Sequence, residues 1–390
     1  MRTAVFMSHP IQHFTPLWQE LARREGIYLK VFYYSRQAVE QSFDRGFGVK
    51  MTWDVDLLAG YEYEFLPRQF PTTDPLDYSE TGLNKNIYKS LSQGFDAAYV
   101  AGYGYLNNWR VAVVCRKLGI PLLYQSDSSF IAELQKFCLK RVAKRLFVTQ
   151  FFRYVSAFLS VGNNNRDFYI YYGVPPRKIF FCPIPVDIAR FQKGVANASA
   201  RDFEQLRAKY NIPQNKKIMV FSGKFMPIKR PLDLIKAVKL LKRDDVVCLF
   251  IGDGELKPDI EAVKDEQVIL TGFVNQRQIP LLLSMGSLCV VPSSRDAHPL
   301  AVTESLCLGV PVILSDMCGC YGPDDVLRDG EDGLVYRCGD VQDLANKIEY
   351  LLEHKQEYEK MCIRARQLAA TQSPQATADS FLRAARSVRS

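Results

Sequence analysis

The sequence predicts an α/β protein built of two units, each a parallel β-sheet covered by helices. Three observations predict it. Short apolar runs such as "KIMVFSG" (217–223), "VVCLFIGDG" (246–254) and "LCVVPS" (288–293) lack polar alternation, as strands buried on both faces do. Those runs alternate with helical patterns, the rhythm of βα units. A first half with longer insertions repeats the rhythm, and the polar stretch "QKGVANASARD" (192–202) lies between the halves.

In the first half, "TAVFMS" (3–8) leads into a helix around 14–24, then the strand "YLKVFYY" (28–34). An aromatic, irregular stretch from about 35 to 85 carries one strand, "YEYEFL". Next come "AAYVAG" (97–102), a helix near 109–118, and "PLLYQS" (121–126). A long basic helix from about 130 to 154 precedes "AFLSVG" (157–162) and "KIFFCPIP" (178–185). In the second half, Pro231 opens a helix to about Lys242, because proline suits the first helical position. A helix from Glu255, "VILTGF" (268–273), a helix over "QIPLLLSMG", the helix containing Glu304, and "PVILSD" (311–316) follow. "DVQDLANKIEYLLEH" (340–354) is an amphipathic helix with Asp340 as its N-cap.

These patterns divide the chain into 1–190, a linker at 191–215, 216–370, and a last helix at 371–390 that returns toward the first unit. At 390 residues and 47% hydrophobic composition there is ample core for two domains. No stretch reaches the roughly 18–20 apolar residues of a membrane span. "MRTAVFMSHP" has too short an apolar run for a signal peptide, so a cytoplasmic location is expected. The ten cysteines are scattered, mostly in apolar runs, without zinc spacing, and read as buried thiols. Residues 1–187 hold 22 Lys and Arg against 16 Asp and Glu, while residues 188–390 hold 28 against 26. The excess in the first half points to an anionic partner there and is too mild for nucleic acid.

Ligands of parallel α/β sheets bind beyond the carboxyl ends of the strands, so the loops after strands are where chemistry is expected. In "FSGKFMPIKRP", Gly223 ends a strand, and Lys224 and Lys229 project from a loop feeding a helix. Two ammonium groups beside helix N–H groups make an anion site; solvated loop lysines are the other reading. The spacing is not that of a P-loop, and "GDGE" (252–255) is not GxGxxG. In "SSRDAHPLAVTESLCLGVPVILSD" (293–316), Asp296 lies in a loop and Glu304 one turn inside a helix that starts near Leu300. There a carboxylate can accept sugar hydroxyls and the first-turn N–H groups can receive a phosphate. A loop cap and a surface helix residue are the plain alternatives.

The second half as a whole resembles the nucleotide-binding domain of retaining GT-B glycosyltransferases of glycosyltransferase family four. The resemblance is carried by Gly223 with Lys224 and Lys229, by "IGDGEL", by "VILTGFV", and by Asp296-x7-Glu304 running into "SLCLGVPVILSD". "DGEDGLVYRCGDVQDLANKI" is similar to the family's closing segment, and "SVGNNNRDFYIYYGVPPRKIFFCPIPVDIARF" to its passage between domains. About 200 residues match strongly and the rest weakly. The resemblance implies two Rossmann-like domains with parallel sheets facing across a cleft, residues 1–190 binding acceptor and 216–370 the nucleotide sugar. It implies that Lys224 and Lys229 bind the donor diphosphate and Glu304 its ribose. The backbone of Gly272, Phe273 and Val274 would touch the base, and Pro299, Leu300, Ala301 and Val302 the phosphates and sugar.

The sequence also departs from that pattern. The first carboxylate is Asp296 rather than glutamate, and His298 stands where the family often has an aromatic residue, so the family's sugar preference does not carry over. "SHPIQHF" replaces a glycine-rich loop after the first strand, which leaves His9 as an acceptor or leaving-group contact and His13 as structural. "YQSDSS" places Ser126 and Asp127 where a histidine is common, and Asp127 becomes the catalytic candidate of the first domain. "WDVD" (53–56) spells a metal motif of another glycosyltransferase fold, but it does not follow a strand of a nucleotide-binding unit, and the lysines already serve the diphosphate. No cofactor or metal is therefore expected. The helix 135–155 mixes six Lys and Arg with an apolar face. It suits peripheral contact with an anionic membrane at the inner face, or a core helix with a solvated basic face.

The expectation is a retaining, metal-independent glycosyltransferase using a nucleotide-diphosphate sugar and a saccharide or lipid-linked hydroxyl acceptor, in polysaccharide or glycoconjugate synthesis. An epimerase or phosphorylase of the same fold, or a non-catalytic nucleotide-sugar-binding scaffold, are the alternatives.

Overall fold

The computed structural model describes residues 1–40, 42–44, 46–69, 83–134, 138–323 and 325–389. The chain divides into two compact units. Unit 1 comprises residues 1–42, 51–185 and 374–390; unit 2 comprises 43–50 and 186–373.

Unit 1 contains β1 (Arg2–Met7), β2 (Tyr28–Tyr33), β5 (Glu62–Phe65), β6 (Ala97–Ala101), β7 (Leu122–Ser126), β8 (Ala157–Ser160) and β9 (Ile179–Phe181). They form one parallel sheet in the order β5-β2-β1-β6-β7-β8-β9. The intervening β3 (Ser42–Asp44) and β4 (Val49–Met51) form a separate two-stranded ribbon at the boundary between the units' segments. Unit 2 contains β10 (Lys217–Ser222), β11 (Val246–Ile251), β12 (Val268–Leu270), β13 (Leu288–Val291), β14 (Val312–Ser315) and β15 (Gly333–Tyr336). Their order is β12-β11-β10-β13-β14-β15, again parallel throughout. The fold is therefore the two-domain α/β arrangement expected, with two Rossmann-like sheets.

The absence of polar alternation has a direct cause. On β10, Ile218 and Val220 enter one core cluster while Met219 and Phe221 enter another. On β11, Val247, Leu249 and Ile251 face one way and Val246, Cys248 and Phe250 the other. In unit 1, Ala4 and Phe6 of β1 are separated from Val5 and Met7 in the same fashion. Each of these three strands buries both its period-2 faces, so neither face can be polar. Each fully buried aliphatic side chain contributes roughly 1.5–3 kcal/mol.

Several boundaries differ from the expectation. The stretch foreseen as a linker, 191–215, carries helices Ile188–Ala196 and Ala200–Tyr210 within unit 2, with Phe191, Leu206 and Ile212 buried. Its polar residues misled because they are caps. Asn197 is the C-cap of the first helix, and Ser199 and Asp202 form a reciprocal capping box that starts the second. Helix Pro374–Ser387 packs in the core of unit 1, with Phe381 and Leu382 buried beside Trp18. The strand β15 and the ribbon β3–β4 were not foreseen. Of the long basic helix, Phe130–Leu134 and Cys138–Phe152 are seen, and 135–137 lie outside the described residues.

Candidate functional site

In unit 2 the sheet order reverses direction between β10 and β13, so the chain leaves these neighbouring strands toward opposite faces. The carboxyl ends of strands at such a reversal are where parallel α/β sheets bind ligands. The two loops singled out in the sequence leave from here. Ser294 N–H donates to the Ile228 carbonyl at 2.8 Å, and its hydroxyl to the same oxygen at 3.2 Å. Gly319 N–H donates to the Asp296 carbonyl at 2.8 Å. These bonds lock the loop after β13 between the loops after β10 and β14. Lys229 and Asp296, 67 residues apart, consequently form an ion pair, with side-chain exposures of 27% and 12%.

Glu304 sits in the short helix Leu300–Leu306, whose N-cap is Pro299. It is half-buried, and burial pushes its carboxyl up to about 7 from an ordinary 4.5, with Arg190 acting in the opposite direction. Arg190 is itself held by Gln276, through the backbone carbonyl at 2.7 Å and the side-chain oxygen at 2.9 Å. A carboxylate so poorly solvated gains most from hydroxyl donors brought by a ligand.

The glycines do a backbone job. Gly252 N–H donates to the Gly272 carbonyl (3.1 Å) and Gly223 N–H to the Ile251 carbonyl (2.9 Å), tying the ends of β10, β11 and β12 together. At φ +146° a Cβ on Gly252 would lie 1.9 Å from the Gly223 oxygen, a separation no side chain tolerates. Phe273 projects just beyond Gly272 and meets Phe47 edge to face, ring centroids 5.1 Å apart. Not every expected residue is presented. Val302 is fully buried and its N–H donates to the Pro299 carbonyl, so it is committed to the helix and core rather than to a ligand. Val274 and His298 are buried too, at 6% and 7% exposure.

Lys224 does not meet Lys229's partner. It is held by Asp44, at 2.9 and 3.2 Å to the two carboxylate oxygens, and lies 4.9 Å from the centre of the Phe47 ring. Nothing in the linear sequence pointed to Asp44 or Phe47; a lone Asp and Phe in an irregular stretch carry no periodic signal.

Unit 1 repeats the logic. Its order reverses between β1 and β6, and the Ser8 hydroxyl, 3.0 Å from His9 Nδ1, reaches the loop after β6. Burial raises the Tyr105 phenol there, a hydrogen bond with Ser8 opposes this, and the charge of Asp127 adds to it. His9 and Asp127, both foreseen, therefore share one strand-end neighbourhood with Tyr105, which was not. Ser126 N–H is taken by the Tyr169 hydroxyl at 3.0 Å. In "WDVD", Asp56 caps a turn, accepting from the Leu58 and Ala59 N–H groups at 2.9 and 3.1 Å.

Residues 202–368 match the family model described as glycosyl transferases group 1. The N-acetyl-alpha-D-glucosaminyl L-malate synthase of Bacillus anthracis is 28% identical over 173 residues, 43% of this chain and 44% of the relative. The UDP-Gal:alpha-D-GlcNAc-diphosphoundecaprenol alpha-1,3-galactosyltransferase of Escherichia coli is 25% identical over 192 residues, 47% of each. The matches thus span under half the length of these relatives. The solved structure of Anabaena HepE in complex with UDP and glucose superposes with a TM-score of 0.73 at 16% identity, over 99% of this chain and all of that one. At that identity the likeness establishes the fold, which is GT-B.

Proposed function

We propose that this chain, with its glycosyl transferases group 1 domain, moves a sugar from a nucleotide-diphosphate donor to a hydroxyl of a saccharide or lipid-linked acceptor. The observation that carries this reading is the convergence, at the switch point of unit 2, of Lys229, Asp296 and the loop bearing Lys224. Cations fixed at the end of a sheet suit a diphosphate, whose negative charge grows as the sugar departs. Glu304 would accept the ribose hydroxyls, and the backbone at Gly272 and Phe273 would face the base. The similarity to the Escherichia coli relative, whose name gives UDP-Gal as its donor, favours a nucleotide donor of that class.

In the proposed reaction the acceptor oxygen forms the new bond to the anomeric carbon as the bond to the diphosphate oxygen breaks. The acceptor's proton passes to the departing diphosphate on the same face, so configuration is retained. Lys224 and Lys229 supply the counter-charge, and no step calls for a metal. Asp296 orients Lys229 and, through it, the leaving group. His9 and Asp127 of unit 1 are assigned to the acceptor. In the helix Cys138–Phe152, the exposed Val142, Leu146 and Phe147 beside Arg145 fit a lipid surface carrying such an acceptor.

Thermal unfolding with UDP, GDP, ADP, CMP and TDP, without added metal, tests the reading. At 100 times its dissociation constant the true nucleotide should add about 2.7 kcal/mol. No shift with any of them would remove the donor site, and a scaffold or phosphorylase would then account better for the fold.

A further inference from the structure

Residues 43–50 precede unit 2 by more than a hundred residues in sequence, yet they pack as part of it. Their placement there is specific. Asp44 Oδ1 and Oδ2 lie 2.9 and 3.2 Å from Lys224 Nζ. The same Asp44 Oδ1 accepts from the Gly46 N–H (2.8 Å) and the Phe47 N–H (3.0 Å), and Gly48 N–H donates to the Asp44 carbonyl at 2.7 Å. The tip is thus a closed turn with its carboxylate pre-aimed at the lysine. Burial would lift that carboxyl, but the Lys224 ammonium and the two N–H donors outweigh it and hold Asp44 below the usual carboxylate range. Phe47 meets Phe273 edge to face. The approach leaves no room: a Cβ on Gly46 would lie 2.5 Å from Lys224 Nζ.

Two features of a nucleoside diphosphate are thereby imitated from within the chain. A carboxylate offers a pair of anionic oxygens to an ammonium, as a phosphate does. An aromatic ring meets Phe273 edge to face, beside the backbone proposed above to face the base. Resting on the function proposed above, we infer that Asp44 and Phe47 are a self-ligand of the nucleotide pocket, which a nucleoside diphosphate must displace in order to reach Lys224 and Phe273. The apparent dissociation constant is then the intrinsic one divided by the fraction of molecules whose strap is open. The strap sets a threshold on donor concentration and keeps Lys224 paired when no nucleotide is present.

The test titrates UDP, GDP and ADP by calorimetry into the full chain and into D44N, F47A and the double variant. Whichever nucleotide binds should bind each single variant about three- to tenfold more tightly, and the double variant more tightly still. Hydrogen exchange supplies the second readout. On nucleotide addition the Phe47 and Gly48 amides should exchange faster, while those of Gly223 and Phe225 slow. Unchanged or weakened binding in D44N and F47A overturns the strap and leaves the donor site standing. Slower exchange at Phe47 and Gly48 also overturns it, because the segment would then close over the nucleotide. If no nucleotide binds wild type or any variant, the donor-site reading fails and the strap falls with it.

Discussion

Lys229 is the residue on which the proposed chemistry turns. Its ion pair with Asp296 is mostly shielded from water, so an alanine there removes the cation and strands the carboxylate. K229A should lose turnover by at least a hundredfold and bind nucleoside diphosphate more weakly, while circular dichroism stays native. Activity equal to wild type would show that the diphosphate lies elsewhere. Glu304 gives a pH signature. Burial pushes its folded carboxyl up to about 7 from an ordinary 4.5, so the folded state holds its proton more tightly. Stability of the ligand-free protein should therefore fall as pH rises from about 4.5 through 7, and E304Q should flatten that slope. Nucleotide affinity should move the opposite way, strengthening as the carboxylate forms. The check is denaturant midpoints and nucleotide titrations at pH 5, 6, 7 and 8 for both proteins. Lys144 shows how a charge can mislead. It belongs to the basic helix, yet it turns inward to Glu133, which is 1% exposed and also accepts from the Tyr172 hydroxyl at 2.9 Å. K144M should cost about 3–5 kcal/mol in urea unfolding, since it leaves a buried charge without its partner.

Elements rather than single side chains fix the site's precision. The bonds from Gly252 to Gly272 and from Gly223 to Ile251 hold three strand ends at one level, and only a residue without a Cβ fits between them. G252A should destabilise unit 2 by about 2–4 kcal/mol and lower its melting temperature by roughly 4–16 °C. Differential scanning calorimetry measures this; an unchanged transition would mean the strand ends separate easily. The loop after β13 is legible in sequence as a carboxylate pair between prolines, but its seating is not. The Ser294 N–H and the Asp296 carbonyl are anchored to the backbone of other loops, and backbone bonds leave no mark on residue identity. The supposed linker misled for a related reason. Ser199 and Asp202 are as polar as a linker demands, and only their reciprocal hydrogen bonds make them a helix start.

At the scale of the whole molecule, the last helix decides whether unit 1 is complete. Phe381 packs on Trp18 and Tyr99, and Ala378, Ala384 and Ala385 are fully buried there. Truncation after Ser373 should expose Trp18, red-shift the tryptophan emission and lower the unfolding midpoint by well over 3 kcal/mol of stability. Unshifted emission would show the helix to be dispensable. The fold was legible because its signal is local and repeated. Strands with two buried faces and helices with one can be read residue by residue, and the order of motifs from Gly223 to Glu304 follows from the same βα rhythm. By itself the sequence determined the two parallel sheets and the position of the loops after their strands, and it singled out Lys229, Asp296 and Glu304. Only the tertiary structure decided what those groups touch. It paired Lys229 with Asp296 across 67 residues and brought Asp44 and Phe47 onto Lys224 and Phe273. It also joined Tyr105 to the Ser8–His9 turn. Periodicity reports which face of an element is buried, whereas a contact between loops depends on where the sheet order reverses, and that is set by the packing of the whole chain.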